Sequence, residues 1–140
     1  MCSSDLPAGF ELGDGSATLH AAGITNPRAE IDVVEMYVPF SWYEPMWLEN
    51  LGFCEEGEGW KLTEQGVTQL DGDLPVNCSG GVLSTNPIGA SGMLRFGEAA
   101  MQVRGTAGEH QIDGAKTALG QAYGGAAQFF ATWVVSSEKP

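Results

Sequence analysis

The run EIDVVEMYV, residues 30–38, constrains the fold of this chain more than any other stretch. It is rich in β-branched and apolar residues, lacks a helical period, and is long enough for a buried strand. A strand buried on both faces needs helices to cover it. GSATLHAAGI (15–24) reads as the last turns of a helix ending at Gly23. SWYEPMWLENLGF (41–53) predicts a short helix with Ser41 as cap, Pro45 early, where its missing N–H costs least, and Gly52 as the stop. CEEGEGWKLTEQGVTQLDGDLP (54–75) reads as a long, ordered, acidic surface loop. VNCSGGVLS (76–84) predicts a strand broken at Gly80-Gly81. Residues 89–104 predict the best helix, with Leu94, Ala99, Met101 and Val103 among its apolar positions and Gly105 after it. AKTALGQAY (115–123) and AQFFATWVV (127–135) predict two strands around a tight antiparallel turn at Gly124-Gly125. The order helix, strand, helix, loop, strand, helix, strand, strand specifies an α/β domain with a mixed central sheet covered by helices.

Charge and cysteine usage narrow the function classes. A net charge of −12 with six Lys and Arg argues against nucleic acid and anionic membrane surfaces as partners. Cys2, Cys54 and Cys78 have no C-x-x-C spacing, so neither a disulfide framework nor a zinc site is expected, and a reducing, cytoplasmic setting fits. No run of about 18 apolar residues is present to span a membrane, and the N-terminus does not read as a signal peptide. MCSSDL, residues 1–6, instead reads as translated sequencing-adaptor DNA. The expected division is a non-native leader at 1–6 and one domain at 7–140, a piece of a longer chain.

Three stretches then become familiar: IDVVEMYVPF; LPVNCSGGVLSTNPIGASG continuing into LRFGEAAMQVRGTAGEHQI; and ALGQAYGG. Together they resemble the C-terminal half of the thiolase superfamily, in particular the sterol-carrier-protein-type thiolases and lipid-transfer-protein-like members. The specific part is N-x-S-G-G followed by N-P-x-G-A-S-G. The resemblance implies a fold of two similar β/α halves, usually dimeric, of which this chain holds the second. It also implies an acyl-CoA substrate, no further cofactor, and a nucleophilic cysteine in the other half, so that none of Cys2, Cys54 and Cys78 is that residue.

The motifs depart from the family where its chemistry lies. Thr85-Asn86-Pro87 stands in place of G-H-P; Asn86 can donate an amide N–H to an oxyanion but cannot take a proton near neutral pH. Tyr37-Val38-Pro39-Phe40 replaces H-D-C-F, and Gln121-Ala122-Tyr123-Gly124 replaces the third motif. Ordinary Claisen chemistry needs a base at carbon, and all three side-chain positions have changed. The expected catalytic residues are therefore Tyr37, Asn86 and Tyr123, with Gly89, Ala90, Ser91, Gly124 and Gly125 binding substrate and no metal. Three functions follow from the resemblance: an acyltransferase relative in lipid or sterol metabolism; a tyrosine-dependent retro-aldolase acting on 3-hydroxyacyl-CoA, with an OB-fold partner; or a non-catalytic scaffold or lipid-transfer-like subunit. Without the resemblance the bland readings stand: Tyr37 as core, Tyr123 as a turn filler, Asn86 as a turn residue before proline. His20 and His110 carry no role.

Overall fold

The structure, a computed structural model, describes residues 16–125 and 128–138. The expected leader at 1–6 lies outside the described residues, as do Gly15 at the start of the first expected helix and the middle of the turn at 126–127. The elements in order are α1 (Ser16–Ala21), α2 (Pro27–Glu30), β1 (Val33–Met36), α3 (Tyr43–Asn50), α4 (Gly59–Glu64), α5 (Gly81–Ser84), α6 (Ser91–Arg104), a 3₁₀ turn (Gly108–His110), β2 (Thr117–Gly124) and β3 (Phe129–Ser136). The sheet order is β1-β2-β3. β1 runs parallel to β2, from Val33 opposite Ala118 to Met36 opposite Gln121. β2 and β3 form the antiparallel pair expected of the Gly124-Gly125 junction, with Gly124 opposite Phe129. Two parallel neighbours require a long crossover, and α3 to α6 supply it.

The sheet is covered on both faces. Val34, Met36 and Val38 pack with Leu19, Trp47, Leu48, Leu51, Phe53, Leu74 and Leu119 on the side of α1 and α3. Val33 points the other way, into a smaller cluster with Cys78, Ala118 and Ala99 of α6. The period of two therefore places Glu35 and Tyr37 on the α6 side.

Several expectations are corrected. β1 spans only Val33–Met36 of 30–38: Glu30 belongs to α2, and single hydrogen bonds from the Asp32 and Tyr37 N–H groups to the Thr117 and Gln121 carbonyls flank the strand. α1 ends at Ala21, and Gly23 follows in the left-handed region (φ 79°), closed by an Ile24 N–H to Leu19 carbonyl bond. Ser41 does not cap α3: Trp42 is the N-cap residue, with no side-chain capping bond. The 54–75 segment is not simply a loop. It contains α4, held to α3 by carboxylates: Glu49 accepts the Gly59 N–H, and Glu44 accepts the hydroxyls of Thr63 and Thr68. Residues 76–84 form no strand; Val76 makes one parallel bridge to Val34 before the chain turns into α5. The turn follows from Asn77 (φ 54°), whose N–H donates to Val34 O at 2.8 Å while its side-chain oxygen accepts the Met36 N–H at 2.8 Å. One side chain thus completes the edge of β1 in place of a strand. α6 begins at Ser91 rather than 89 and ends where expected, before Gly105 (φ 68°). Among the described residues no helix is long and apolar enough to cross a membrane.

Candidate active site at the carboxyl ends of the parallel strands

A cavity of about 730 Å³ opens where β1 and β2 end. Tyr37, Pro39 and Phe40 enter it from the chain after β1. Asn86, Ile88, Gly89, Ser91 and Gly92 come from the approach to α6 and its first turn, and Ala122 to Gly125 from the end of β2. The carboxyl end of a parallel sheet is the usual place for such a crevice, because connecting loops diverge there.

The segments reach it for local reasons. The Tyr37 N–H continues the ladder to the Gln121 carbonyl at 3.0 Å and also lies 3.1 Å from the Gln121 side-chain oxygen. The Tyr37 carbonyl accepts the Trp47 indole N–H at 3.1 Å, which holds α3 against this junction. At Gly92 an added Cβ would stand 3.0 Å from the Ala122 methyl. The glycine thus lets α6 approach β2 closely and bring residues 86–91 over the strand ends.

Of the eight expected site residues, seven line this cavity: Tyr37, Asn86, Gly89, Ser91, Tyr123, Gly124 and Gly125. Ala90 is not on the wall, and its N–H is committed to the Pro87 carbonyl at 2.8 Å. Asn86 Nδ2 donates to the Tyr37 hydroxyl oxygen at 3.1 Å, joining two positions 49 residues apart. Ser91 Oγ donates to Asn86 Oδ1 at 2.6 Å. The Tyr37 and Tyr123 rings meet edge to face at 5.0 Å, and Tyr123 stacks on Tyr43 at 5.3 Å. Trp47 is core, whereas Trp42 stacks outside Tyr43 and remains half exposed.

The titrating groups differ in what they offer. Burial, with the adjacent phenols of Tyr43 and Tyr37, pushes the Tyr123 phenol well above the usual tyrosine value. It stays protonated through the neutral range, so its O–H is available to donate. Burial pushes the Cys78 thiol to about 12, with the Glu35 carboxylate adding to it, and Cys54 to about 11 beside Glu49. Neither sulfur lines the cavity.

Beneath the cavity lies a feature that the sequence reading missed. Glu35 and Arg95 are 0% and 3% exposed and pair at 2.8 Å. Ser79 donates its N–H to one Glu35 oxygen at 3.1 Å and its hydroxyl to the other at 2.9 Å. Burial raises the Glu35 carboxyl above its ordinary value, and Arg95 and the Ser79 bonds pull against that rise. The signal was present in part: a glutamate inside an apolar strand demands a buried partner, and the helix that covers it carries two arginines, Arg95 and Arg104, of which the fold buries Arg95. Asn77, Ser79, Gly80 and Gly81 of the N-x-S-G-G motif thus build the floor and edge of β1, and none of them lines the cavity.

Comparison with known proteins agrees with this architecture. The family described as "Thiolase C-terminal domain-like" matches residues 13–137. Acetyl-CoA acetyltransferase of Methanothermobacter thermautotrophicus is 42% identical over 97 residues, 69% of this chain and 25% of that protein. Sterol carrier protein 2 of Bos taurus is 41% identical over 131 residues, 83% of this chain and 24% of that protein. The chain thus spans about a quarter of the length of these curated relatives. A solved structure titled Ltp2-ChsH2(DUF35) aldolase superposes with a TM-score of 0.76 at 28% identity, over 90% of this chain and 31% of its own. With the family matched over nearly the whole chain and the fold shared, the chain belongs to the thiolase C-terminal domain-like family.

Proposed function

We propose that this domain is part of an acyl-CoA-handling enzyme, and that its cavity serves cleavage of a 3-hydroxyacyl thioester rather than Claisen condensation or thiolysis. The observation that carries the reading is the Asn86–Tyr37 hydrogen bond at 3.1 Å, on a cavity wall with no imidazole or thiol among its described residues. A wall of phenols, a carboxamide and glycine amides can stabilise charge on oxygen and pass protons between oxygens. The resemblance to an aldolase structure supports the same reading.

In this reaction the substrate 3-hydroxyl passes its proton to the Tyr37 oxygen, which already receives the Asn86 N–H, as Tyr37 releases its own phenol proton into the cavity. The C2–C3 bond breaks, its electron pair moves onto the thioester carbonyl, and a carbonyl product leaves. The Asn86 and glycine amides hold the enolate oxygen, the protonated Tyr123 quenches the enolate carbon to give a shortened acyl-CoA, and the proton released by Tyr37 restores Tyr123. No covalent acyl-enzyme and no cofactor beyond the coenzyme A of the substrate are needed. The wider proposal has a first thiolase half upstream, a homodimer, an OB-fold partner as an auxiliary, and a cytoplasmic setting. Residues 1–6 are proposed to be foreign to the domain at 7–140.

The test is product analysis with the full-length protein, given the OB-fold partner if it needs one. Tyr37→Phe and Tyr123→Phe should each lower cleavage of 3-hydroxyacyl-CoA at least about tenfold with KM little changed. Cleavage at the native rate in both variants would show that the tyrosines are packing.

A further inference from the structure

Two cross-links join β1 to α6. Glu35 and Tyr37 stand two residues apart on the α6 side of β1, and Ser91 and Arg95 stand four apart on the face that α6 turns to the strand. The lower link is the Glu35–Arg95 ion pair; the upper is Tyr37–Asn86–Ser91.

The upper link has a direction. The 2.6 Å from Ser91 Oγ to the Asn86 side chain fits an O–H···O bond and is too short for a usual N–H···O one. The atom facing Ser91 is therefore the carboxamide oxygen, with the Ser91 proton on it; the Pro87 carbonyl, at 3.3 Å, is the weaker acceptor. That orientation turns Nδ2 to the Tyr37 oxygen. A reversed carboxamide would present an oxygen there, and the phenol proton would be drawn back to Asn86, where the distance to Oδ1 is already 3.3 Å. Ser91 is buried, and its proton is taken up by Asn86, so it acts through Asn86 rather than on a ligand.

We propose that Ser91 is a positioning residue: its hydroxyl fixes the rotation of the Asn86 carboxamide, delivers an N–H to the Tyr37 oxygen, and leaves the Tyr37 proton free to face the cavity. This rests on the reading above, in which Tyr37 exchanges a proton with substrate.

The experiment is carbon-13 NMR of Cζ-labelled tyrosine in the full-length protein, with the Tyr37 signal assigned by Tyr37→Phe, alongside cleavage kinetics. Ser91→Ala should move the Tyr37 signal and lower kcat about tenfold with KM within about twofold, and Ser91→Thr, which keeps the hydroxyl, should restore both. A Tyr37 signal unmoved in folded Ser91→Ala overturns the proposal. If Ser91→Ala does not fold, Ser91→Cys carries the test, since it keeps the size of the side chain but donates only weakly to Asn86 Oδ1 and must move the same signal. A moved and rescued signal in a protein that cleaves no 3-hydroxyacyl-CoA supports the positioning and sinks the reaction instead.

Discussion

Asn86 and a histidine at the same place would share one ability and differ in another. Both present an N–H to an oxygen, but a carboxamide does not titrate near neutral pH. The full-length protein should therefore show little thiolysis of 3-ketoacyl-CoA, because general acid–base help is typically worth about 10²–10⁴-fold. Asn86→His should raise thiolysis if a nucleophilic cysteine is present in the other half; robust turnover in the unmodified protein would send the search to a different base. Tyr123 makes a separate prediction at this scale. Its phenol is held above the ordinary value of 10, so as an acid it remains protonated, and active, up to a pH beyond that value. The alkaline fall in kcat should lie above the ordinary tyrosine range and vanish in Tyr123→Phe. A fall near neutral pH would mean that another group supplies the proton.

At the scale of elements, the Glu35–Arg95 pair determines how α6 sits on β1, and so where Ser91 and Asn86 meet Tyr37. Removing one member of a buried pair leaves an uncompensated charge and costs about 3–5 kcal/mol. Arg95→Met should therefore lower stability far more than an exposed substitution such as Arg104→Met, by denaturant titration of the full-length protein. The pH dependence has a definite sign. A carboxyl raised on folding contributes stability that is complete below its unfolded value of 4.5 and is lost as pH rises through the folded value. Glu35 should thus make the protein lose stability as pH rises above about 4.5, and Glu35→Gln should flatten that slope whatever its effect on the absolute melting point. An unchanged slope would place the charge elsewhere.

At the scale of the molecule, much apolar surface around α5, α6 and the start of β3 has no cover. Ile88 is 90% exposed, Met93 and Phe129 72%, and Leu83 70%. Large uncovered apolar side chains in one region mark surfaces that meet other protein. In the proposed assembly the upstream half and a second subunit cover them. Expressed alone, the chain should bind a hydrophobic dye or self-associate. A monomer with a sharp, concentration-independent melting transition would count against the two-half assembly.

Much of this was written locally in the chain. The apolar run 30–38, the helix before Gly105 and the glycine junction at 124–125 each carry a short-range pattern, so the α/β class, the β2–β3 pair and α6 were legible from residues alone. The motifs around Asn86, Tyr37 and Tyr123 were legible too, because each is a contiguous string. Tertiary structure decided what depends on distant partners. Residues 76–84 had strand-like composition, but Asn77 satisfies the edge of β1 with one side chain, and the left-handed Gly80 then turns the chain into α5. α4 lay hidden in an acidic stretch because its anchors, Glu44 and Glu49, come from another helix. Glu35 could be seen to need a partner, but only the packing of α6 on β1 supplies Arg95, and the same packing sets Ser91 on Asn86. Local sequence fixes backbone preference and the face a residue occupies; which buried polar group meets which is settled by the approach of elements far apart in the chain, and there the site takes its geometry.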